Sequence, residues 1–522
     1  MNYSDHRIKK SLLNSFKIGA LAGMLIPNFC LAGSEVKKET KPNIILFLVD
    51  DMGWQDTSVP FWTERTPFNR LYHTPSMERL ASAGMKFTQA YACTVCSPTR
   101  VSLMSGMNAA RHKVTNWTLQ RDTPVDAKDD QLDFPKWNVN GLQPVDSIRQ
   151  SVQVTTLAQI LHDNGFFTIH CGKAHYGAMG TPAANPLTLG FDVNIAGHAA
   201  GAPGSYLGEK NFGNADKGAY SPPWGVPGLE KYHGDTINLT EVLTREAIKS
   251  LDKAHQTGKP FYLYMAQYAV HAPLEPDHRF YPKYKSMGLE EPEARYASML
   301  ESMDNSLGDL MDYLDKNGIA DNTIILFMSD NGGLSASARG GKLHTHNLPL
   351  KSGKGSAYEG GIREPMIVKW PGKVKPASIC NDYLIVEDYF PTIIEMAGIR
   401  KYTTVQKIDG KSFVPMLLQS GTTSAGRDLF WHYPNKWGAT GPGIGTTSTI
   451  RSGDWKLIHW YKDGKNELYN IPADIGENSD LADLHPEIVA NLAKKLGTYL
   501  RSVNAQLPID KATGKQCPFP GE

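Results

Sequence analysis

The chain has 522 residues, with 54 Lys and Arg against 53 Asp and Glu, a net charge of +1 and 41% hydrophobic residues. That length exceeds what one hydrophobic core usually serves, so a large domain joined to a smaller one is expected. The balanced charge and the lack of a dense basic run exclude the electrostatic footprint of a nucleic-acid binder, so an anion is recognised here locally.

At the N-terminus, Arg7, Lys9, Lys10 and Lys17 precede the apolar run Ile18–Ile26, and Cys30-Leu31-Ala32 supplies small residues for cleavage before Gly33. This is the pattern of an export signal over residues 1–32, and it predicts a periplasmic or secreted protein. The run is too short for a transmembrane anchor and meets Pro27 at once, so no stable membrane insertion is expected. Pro27-Asn28-Phe29 is a poor lead into a lipidated Cys30. The five later cysteines are irregularly spaced, which fits neither a disulfide framework nor a zinc site.

Ile44–Val49 is a continuous apolar run of the kind that forms a central parallel strand, and it stops at Asp50-Asp51. A helix near Met77–Ala83 and a strand over Met85–Ala92 lead into Cys93-Thr94-Val95-Cys96-Ser97-Pro98-Thr99-Arg100. There Pro98 suits the first helical position, Ser97 suits the N-cap and Arg100 falls in the first turn, which places Cys96 where a helix dipole favours an anion. The alternative is that Cys96 is a small buried core residue.

A helix over Thr155–Asn164 precedes the apolar strand Phe166–Cys171, which ends in Gly172-Lys173-Ala174-His175. Residues 180–233 turn to Gly, Ala, Pro and Asn with scattered aromatics, the composition of a long binding loop. A helix over Thr236–Ala254, the strand Phe261–Ala266, then His271-Ala272-Pro273 follow. A long helix from Pro292 carries an apolar stripe to Leu314, and the strand Thr323–Met328 ends in Ser329-Asp330-Asn331-Gly332. Past Gly398 come loops, short antiparallel strands at Ile450–Ser452, Trp455–Tyr461 and Glu467–Asn470, and a last helix from Pro486.

The expected fold is α/β: a large mixed, mostly parallel sheet flanked by helices on both faces, with a smaller C-terminal α+β subdomain holding an antiparallel sheet and a terminal helix. The expected division is a catalytic domain over 33–398 and the subdomain over 399–522. Each buried strand delivers polar residues at its carboxyl end, the edge at which open α/β sheets bind ligands, so Asp50, Asp51, Lys173, His175, His271, Asp330 and Asn331 can converge. Asp50, Asp51, Asp330 and Asn331 offer only oxygen ligands, which suits a hard cation such as Ca²⁺ or Mg²⁺. Read singly, Asp-Asp and Asp-Asn-Gly are ordinary turn residues and each histidine is a structural one. Two apart in an extended exit, Lys173 and His175 can point to one side.

Cys96-Ser97-Pro98-Thr99-Arg100 resembles the signature of the type I, formylglycine-dependent sulfatases of the alkaline phosphatase superfamily. So do the paired aspartates, Gly165-Phe166-Phe167-Thr168 with Gly172-Lys173, His271 before Pro273, Asp330-Asn331-Gly332 and Lys354 ahead of Tyr358-Glu359-Gly360-Gly361. They recur in family order, and Asp409-Gly410, Trp455-Lys456 and Glu467-Leu468-Tyr469 resemble the family's C-terminal part. Thr99, Ser105 and Ala174 depart from the usual residue types without touching a position of catalytic type.

The resemblance implies bacterial exported glycan sulfatases: Cys96 converted to formylglycine by a formylglycine-generating or anaerobic sulfatase-maturating enzyme, and one Ca²⁺ held by Asp50, Asp51, Asp330 and Asn331 with the modified Cys96. It implies that Lys173, Lys354 and Arg100 neutralise the sulfate oxygens, that Asp330 is a base for the attacking hydroxyl, that His271 protonates the leaving alcohol and that His175 deprotonates the second hydroxyl. The substrate expected is a sulfated carbohydrate of galactose or hexosamine type, attacked from a chain end. Asn116, Trp117, Trp224, His233, Arg339, His344 and His346 are the loop residues available to bind the sugar. The alternatives are a phosphate or phosphonate monoester hydrolase of the same superfamily, and a catalytically dead glycan-binding homologue.

Overall fold

The computed structural model describes residues 41–213, 223–336 and 338–522; the export-signal reading, Cys30 included, lies outside them. The main sheet holds eight strands among the described residues: β1 (Asn43–Val49), β2 (Met85–Tyr91), β3 (Phe167–Gly172), β4 (Val193–Ile195), β5 (Phe261–Ala266), β6 (Thr323–Ser329), β7 (Arg363–Lys369) and β8 (Ser378–Ile385). Their order across the sheet is β8-β2-β7-β6-β1-β5-β3-β4, and every neighbouring pair is parallel except the two made by β7.

The sequence places β1 near the middle for a simple reason. Its side chains alternate between two cores, Ile44, Leu46 and Leu48 on one face and Ile45, Phe47 and Val49 on the other. A fully buried aliphatic side chain stabilises by roughly 1.5–3 kcal/mol, so six in succession hold this strand under both helical layers. One layer has α1 (Pro75–Ala83), α4 (Leu239–Thr257) and α5 (Glu291–Lys316); the other has α2 (Cys96–Ser105), α3 (Leu157–Asp163) and α6 (Tyr389–Met396). Four antiparallel strands follow, β9 (Asp428–Tyr433), β10 (Thr447–Ser452), β11 (Trp455–Trp460) and β12 (Asn466–Asn470), covered by α7 (Pro486–Ser502). Leu492, Leu496 and Leu500 of α7 pack on Ile450, Leu457 and Leu468.

The expected fold class is the observed one. Four strands of these two sheets escaped the sequence reading: β7 and β8, whose charged or edge-exposed residues dilute the apolar signal, β4 inside the long 180–233 loop, and β9. The start of α2 also differs. Its N-cap is Val95, not Ser97, and Pro98 stands one turn in. The Ser97 hydroxyl accepts instead from the Thr118 N–H at 3.1 Å. No disulfide joins the described cysteines, and no helix among the described residues is long and apolar enough to cross a membrane.

Candidate active site

Asp50 and Asp51 follow β1, Asp330 and Asn331 follow β6, Lys173 follows β3 and His271 lies a few residues past β5, so the parallel register of these strands brings their polar ends to one edge. α2 starts at that edge with Cys96, and the loop between β6 and β7 returns with Lys354. Three carboxylates and three cations interlock here. Lys173 Nζ donates to Asp50 Oδ2 at 2.6 Å, and Lys354 Nζ lies 2.7 Å from Asp51 Oδ1. Arg100 donates from Nε and Nη2 to Asp330 Oδ2. Asn331 Nδ2 donates to Asp51 Oδ1 at 2.8 Å, and the Asp51 N–H to Asp330 Oδ1 at 3.2 Å.

Two oxygens in this cluster accept no hydrogen bond although they are buried: Asp50 Oδ1 and Asn331 Oδ1. Buried oxygens without donors are costly unless a cation meets them. Asp50, Asp51 and His271 also offer ligand atoms within 4.8 Å of one another. The oxygen donors Asp50, Asp51, Asp330 and Asn331 therefore fit a hard divalent ion, and His271 borders the same space, at the sheet edge where the sequence placed it.

The electrostatics follow from burial and these pairings. Burial, then the Asp330 charge, pushes Asp50 well above the ordinary carboxylate range. Burial acts on Asp51 and Asp330 in the same direction, but Lys354 and His271 outweigh it at Asp51, and Arg100 and Lys173 at Asp330, so both stay below that range. Burial raises the Cys96 thiol against the pull of Lys173 and Lys354, so the unmodified side chain is a weak nucleophile in spite of its place at a helix start.

His271 Nδ1 faces the Ala272 carbonyl at 2.6 Å, which fixes its proton there and turns Nε2 toward Asp51 Oδ2 at 3.6 Å. Burial, then Lys354, pushes this ring down to about 3. His175 Nε2 donates to the Thr118 carbonyl at 2.8 Å, and its buried Nδ1 has no partner. Burial, Lys173 and Arg100 hold His175 well below the ordinary imidazole range, so Nδ1 is an unprotonated acceptor. The exit from β3 is not extended as expected: His175 has φ 57°, and its ring lies against Gly201, where a Cβ would come within 2.2 Å.

Arg100 is wholly buried, and besides Asp330 its Nη1 donates to the Lys173 carbonyl at 2.9 Å, so it is bonded within the cluster.

The loop residues noted for sugar binding fall into two groups. Asn116 is buried, giving Nδ2 to Asp126 and receiving Trp117 N–H and Tyr433 O–H at Oδ1. Arg339 is buried between Asp56 and Glu293, with the Tyr296 ring 3.9 Å from its guanidinium carbon. His346 is buried, with Nε2 2.6 Å from the Gly340 carbonyl. The polar contacts of these three are made within the fold. Trp117, Trp224, His233 and His344 are half-buried, His233 beside Phe212 and His344 against Gly441.

Sequence reasoning missed the support behind Lys354. Lys456 Nζ lies 3.0 Å from Glu359 and 2.8 Å from Glu477, and Glu477 accepts the Glu359 N–H at 2.6 Å, which ties the lysine's loop to the C-terminal sheet. Trp437 was missed as well: it lies beside Lys354 and belongs to no recognised motif.

A mostly parallel α/β sheet with carboxylates, lysines and histidines gathered at its carboxyl edge defines a hydrolase of anionic esters. The Sulfatase family model matches residues 42–399, and that of the N-sulphoglucosamine sulphohydrolase C-terminal region matches 353–506. The chain belongs to the sulfatase family of the alkaline phosphatase superfamily and is a sulfuric ester hydrolase. It is similar to a sulfatase of Formosa agariphila, 29% identical over 98% of both chains, and to the N-acetylgalactosamine-6-sulfatase of Sus scrofa, 30% identical over 76% of this chain and 69% of that one. Among solved structures it resembles Ps i-CgsB in complex with a k-i-k-neocarrahexaose, with a TM-score of 0.71 and 26% identity over 88% of this chain and 93% of that one.

Proposed function

We propose that the chain is an exported, formylglycine- and calcium-dependent sulfatase that removes sulfate from a sulfated carbohydrate of galactose or hexosamine type, working from a chain end. The observation that carries this reading is the position of Cys96. It begins α2 where the charges of Lys173, Lys354, Asp330 and Asp50 all act on it, and two of the oxygens in that cluster, Asp50 Oδ1 and Asn331 Oδ1, lack donors. The two relatives named for sugars, the N-acetylgalactosamine-6-sulfatase and the neocarrahexaose complex, support a carbohydrate substrate. Entry from a chain end is supported by depth: Asp50, Asp51 and Lys173 are fully buried, and even the His271 side chain is only 21% exposed. The basic, apolar, small-residue order of residues 7–32 supports export.

In this reading a maturating enzyme of the formylglycine-generating or anaerobic class oxidises the Cys96 thiol to an aldehyde, which hydrates to a gem-diol. A divalent cation held by Asp50, Asp51, Asp330 and Asn331 supplies Lewis-acid polarisation and charge compensation. Lys173 and Lys354 bind the sulfate oxygens and hold the sulfur in line with one hydroxyl. Asp330 takes the proton of that hydroxyl as it forms the new S–O bond and the S–O bond to the sugar breaks, and His271 gives a proton to the departing alcohol. The sulfate's negative charge opposes the two lysines that keep the ring neutral, and this lets His271 carry the proton when substrate is present. His175 Nδ1 then takes the proton of the second hydroxyl, the C=O bond reforms and sulfate leaves. Serine has no second hydroxyl and would stop at the ester.

Peptide mass spectrometry, with turnover of aryl sulfate, N-acetylgalactosamine 6-sulfate, carrageenan oligosaccharides and matched phosphate esters, tests this. The expected result is an aldehyde at Cys96, sulfate release from a glycan and loss of activity by about a thousandfold or more in Cys96→Ala. A free thiol in active protein, or faster phosphate-ester turnover, overturns it.

A further inference from the structure

We infer that Trp437 is the sugar-binding platform beside the sulfate site, contributed by the loop 434–446 between β9 and β10. This rests on the carbohydrate reading above and deepens it. The indole lies 5.7 Å from Lys354 Nζ, over the ring centroid. It packs directly on Gly355, at φ 83°, where a Cβ would come within 2.3 Å of Cε3. Only glycine both adopts that backbone and admits the ring, so the residue after the sulfate-binding lysine is shaped to seat this tryptophan. Trp437 is nonetheless half-exposed.

The loop that carries it is pinned on both sides of the ring. Before it, Asn435 Nδ2 donates to Asp126 at 2.8 Å, and Lys436 Nζ lies 2.9 Å from Asp129. After it, the Gly443 carbonyl accepts the Ala357 N–H at 2.9 Å and the Pro442 carbonyl accepts the Ser356 hydroxyl at 3.0 Å. On the same loop Gly441 receives the His344 ring, whose Nδ1 has no hydrogen-bond partner. A large aromatic surface held in place costs little entropy to use, and next to a fixed cation it can stack on the apolar face of a sugar. A sulfate ester held at Lys354 places its sugar within reach of the indole. A tryptophan that merely shielded Lys354 would serve every sulfate ester alike; a sugar platform serves only those with a ring to stack.

The test compares wild type, Trp437→Ala and Trp437→Phe on a small acyclic alkyl sulfate, which has no ring to stack, and on the sulfated saccharide that the wild type cleaves best among N-acetylgalactosamine 6-sulfate and carrageenan oligosaccharides. In Trp437→Ala, kcat/KM for the saccharide is expected to fall at least tenfold, mainly through KM. The alkyl sulfate should change less than threefold, and Trp437→Phe should recover most of the loss on the saccharide. An equal fall on both substrates, or no fall on the saccharide, overturns the inference while leaving the carbohydrate reading intact. A wild type that cleaves simple sulfate esters and no saccharide overturns the carbohydrate reading itself, and this inference with it.

Discussion

Arg100 Nε and Nη2 both donate to one oxygen of Asp330, at 3.0 and 2.8 Å, with the two side chains fully buried. The fork fixes the orientation of a carboxylate that also accepts the Asp51 N–H, so Arg100 is placed to act on the proposed cation site through Asp330. Arg100→Lys keeps the charge and loses the fork. It is expected to fold, to lower kcat about tenfold or more, and to raise the Ca²⁺ concentration needed for half-maximal activity. Arg100→Ala leaves a buried carboxylate unpaired and should cost about 3–5 kcal/mol of stability. Calcium titrations of activity, with thermal unfolding of both variants, check this; an unchanged calcium requirement in Arg100→Lys would refute it.

In the proposed reading the donor-free oxygens of Asp50 and Asn331 meet the cation, so stability should depend on it. Binding to the folded chain alone adds about 2.7 kcal/mol at a free concentration one hundred times Kd. Chelation should therefore lower the melting temperature, and Ca²⁺ should restore it in the wild type. Asn331→Ala removes one ligand oxygen and should blunt that response. A melting temperature indifferent to chelator and Ca²⁺ would count against the site. Differential scanning calorimetry with and without chelator reads this directly.

What could be read in the sequence follows a physical divide. Strands buried on both faces announce themselves as apolar runs, and the residues just after them share a sheet edge by topology, so Asp50, Lys173, His271 and Asp330 were legible without a structure. Contacts made by loops folding back over long sequence separations were not. Nothing local marks Arg339 as a buried partner of Asp56 and Glu293, or brings Trp437 beside Lys354. The cap of α2 failed for a different reason: Ser97 has the right chemistry for an N-cap, but Thr118 claims its hydroxyl and the helix starts one residue before it.

Arg339 separates a substrate ligand from a structural ion pair. Its guanidinium lies over Tyr296 and reaches Asp56, Glu293 and the Tyr72 hydroxyl, with no exposed side-chain surface. Arg339→Met should destabilise the fold by about 3–5 kcal/mol, because it leaves buried carboxylate unpaired. At a temperature where the variant remains folded, KM for saccharide should stay within about threefold of wild type. Denaturant unfolding and steady-state kinetics on the same preparation distinguish the two roles; a large KM effect with unchanged stability would restore the sugar-binding one.

Glu387 makes stability fall with rising pH. It is buried against α2, with Asn108 Nδ2 at 2.8 Å from Oε1 and no donor at Oε2. Burial, then the Asp388 charge, pushes its carboxyl up to about 8 from an ordinary value of 4.5. Below the ordinary value both folded and unfolded chains hold the proton, and the contribution is complete. Between there and about pH 8 the unfolded chain has released a proton that the folded chain keeps, so the unfolding free energy drops by ~1.4 kcal/mol per pH unit from this group, discounted for whatever relaxation the site allows. Glu387→Gln mimics the protonated acid and titrates in neither state. The variant should gain on the wild type steadily between pH 5 and 8 in urea unfolding followed at fixed ionic strength, and Asn108 should retain its partner. Parallel curves for the two proteins over that range would mean that Glu387 is already ionised in the folded chain.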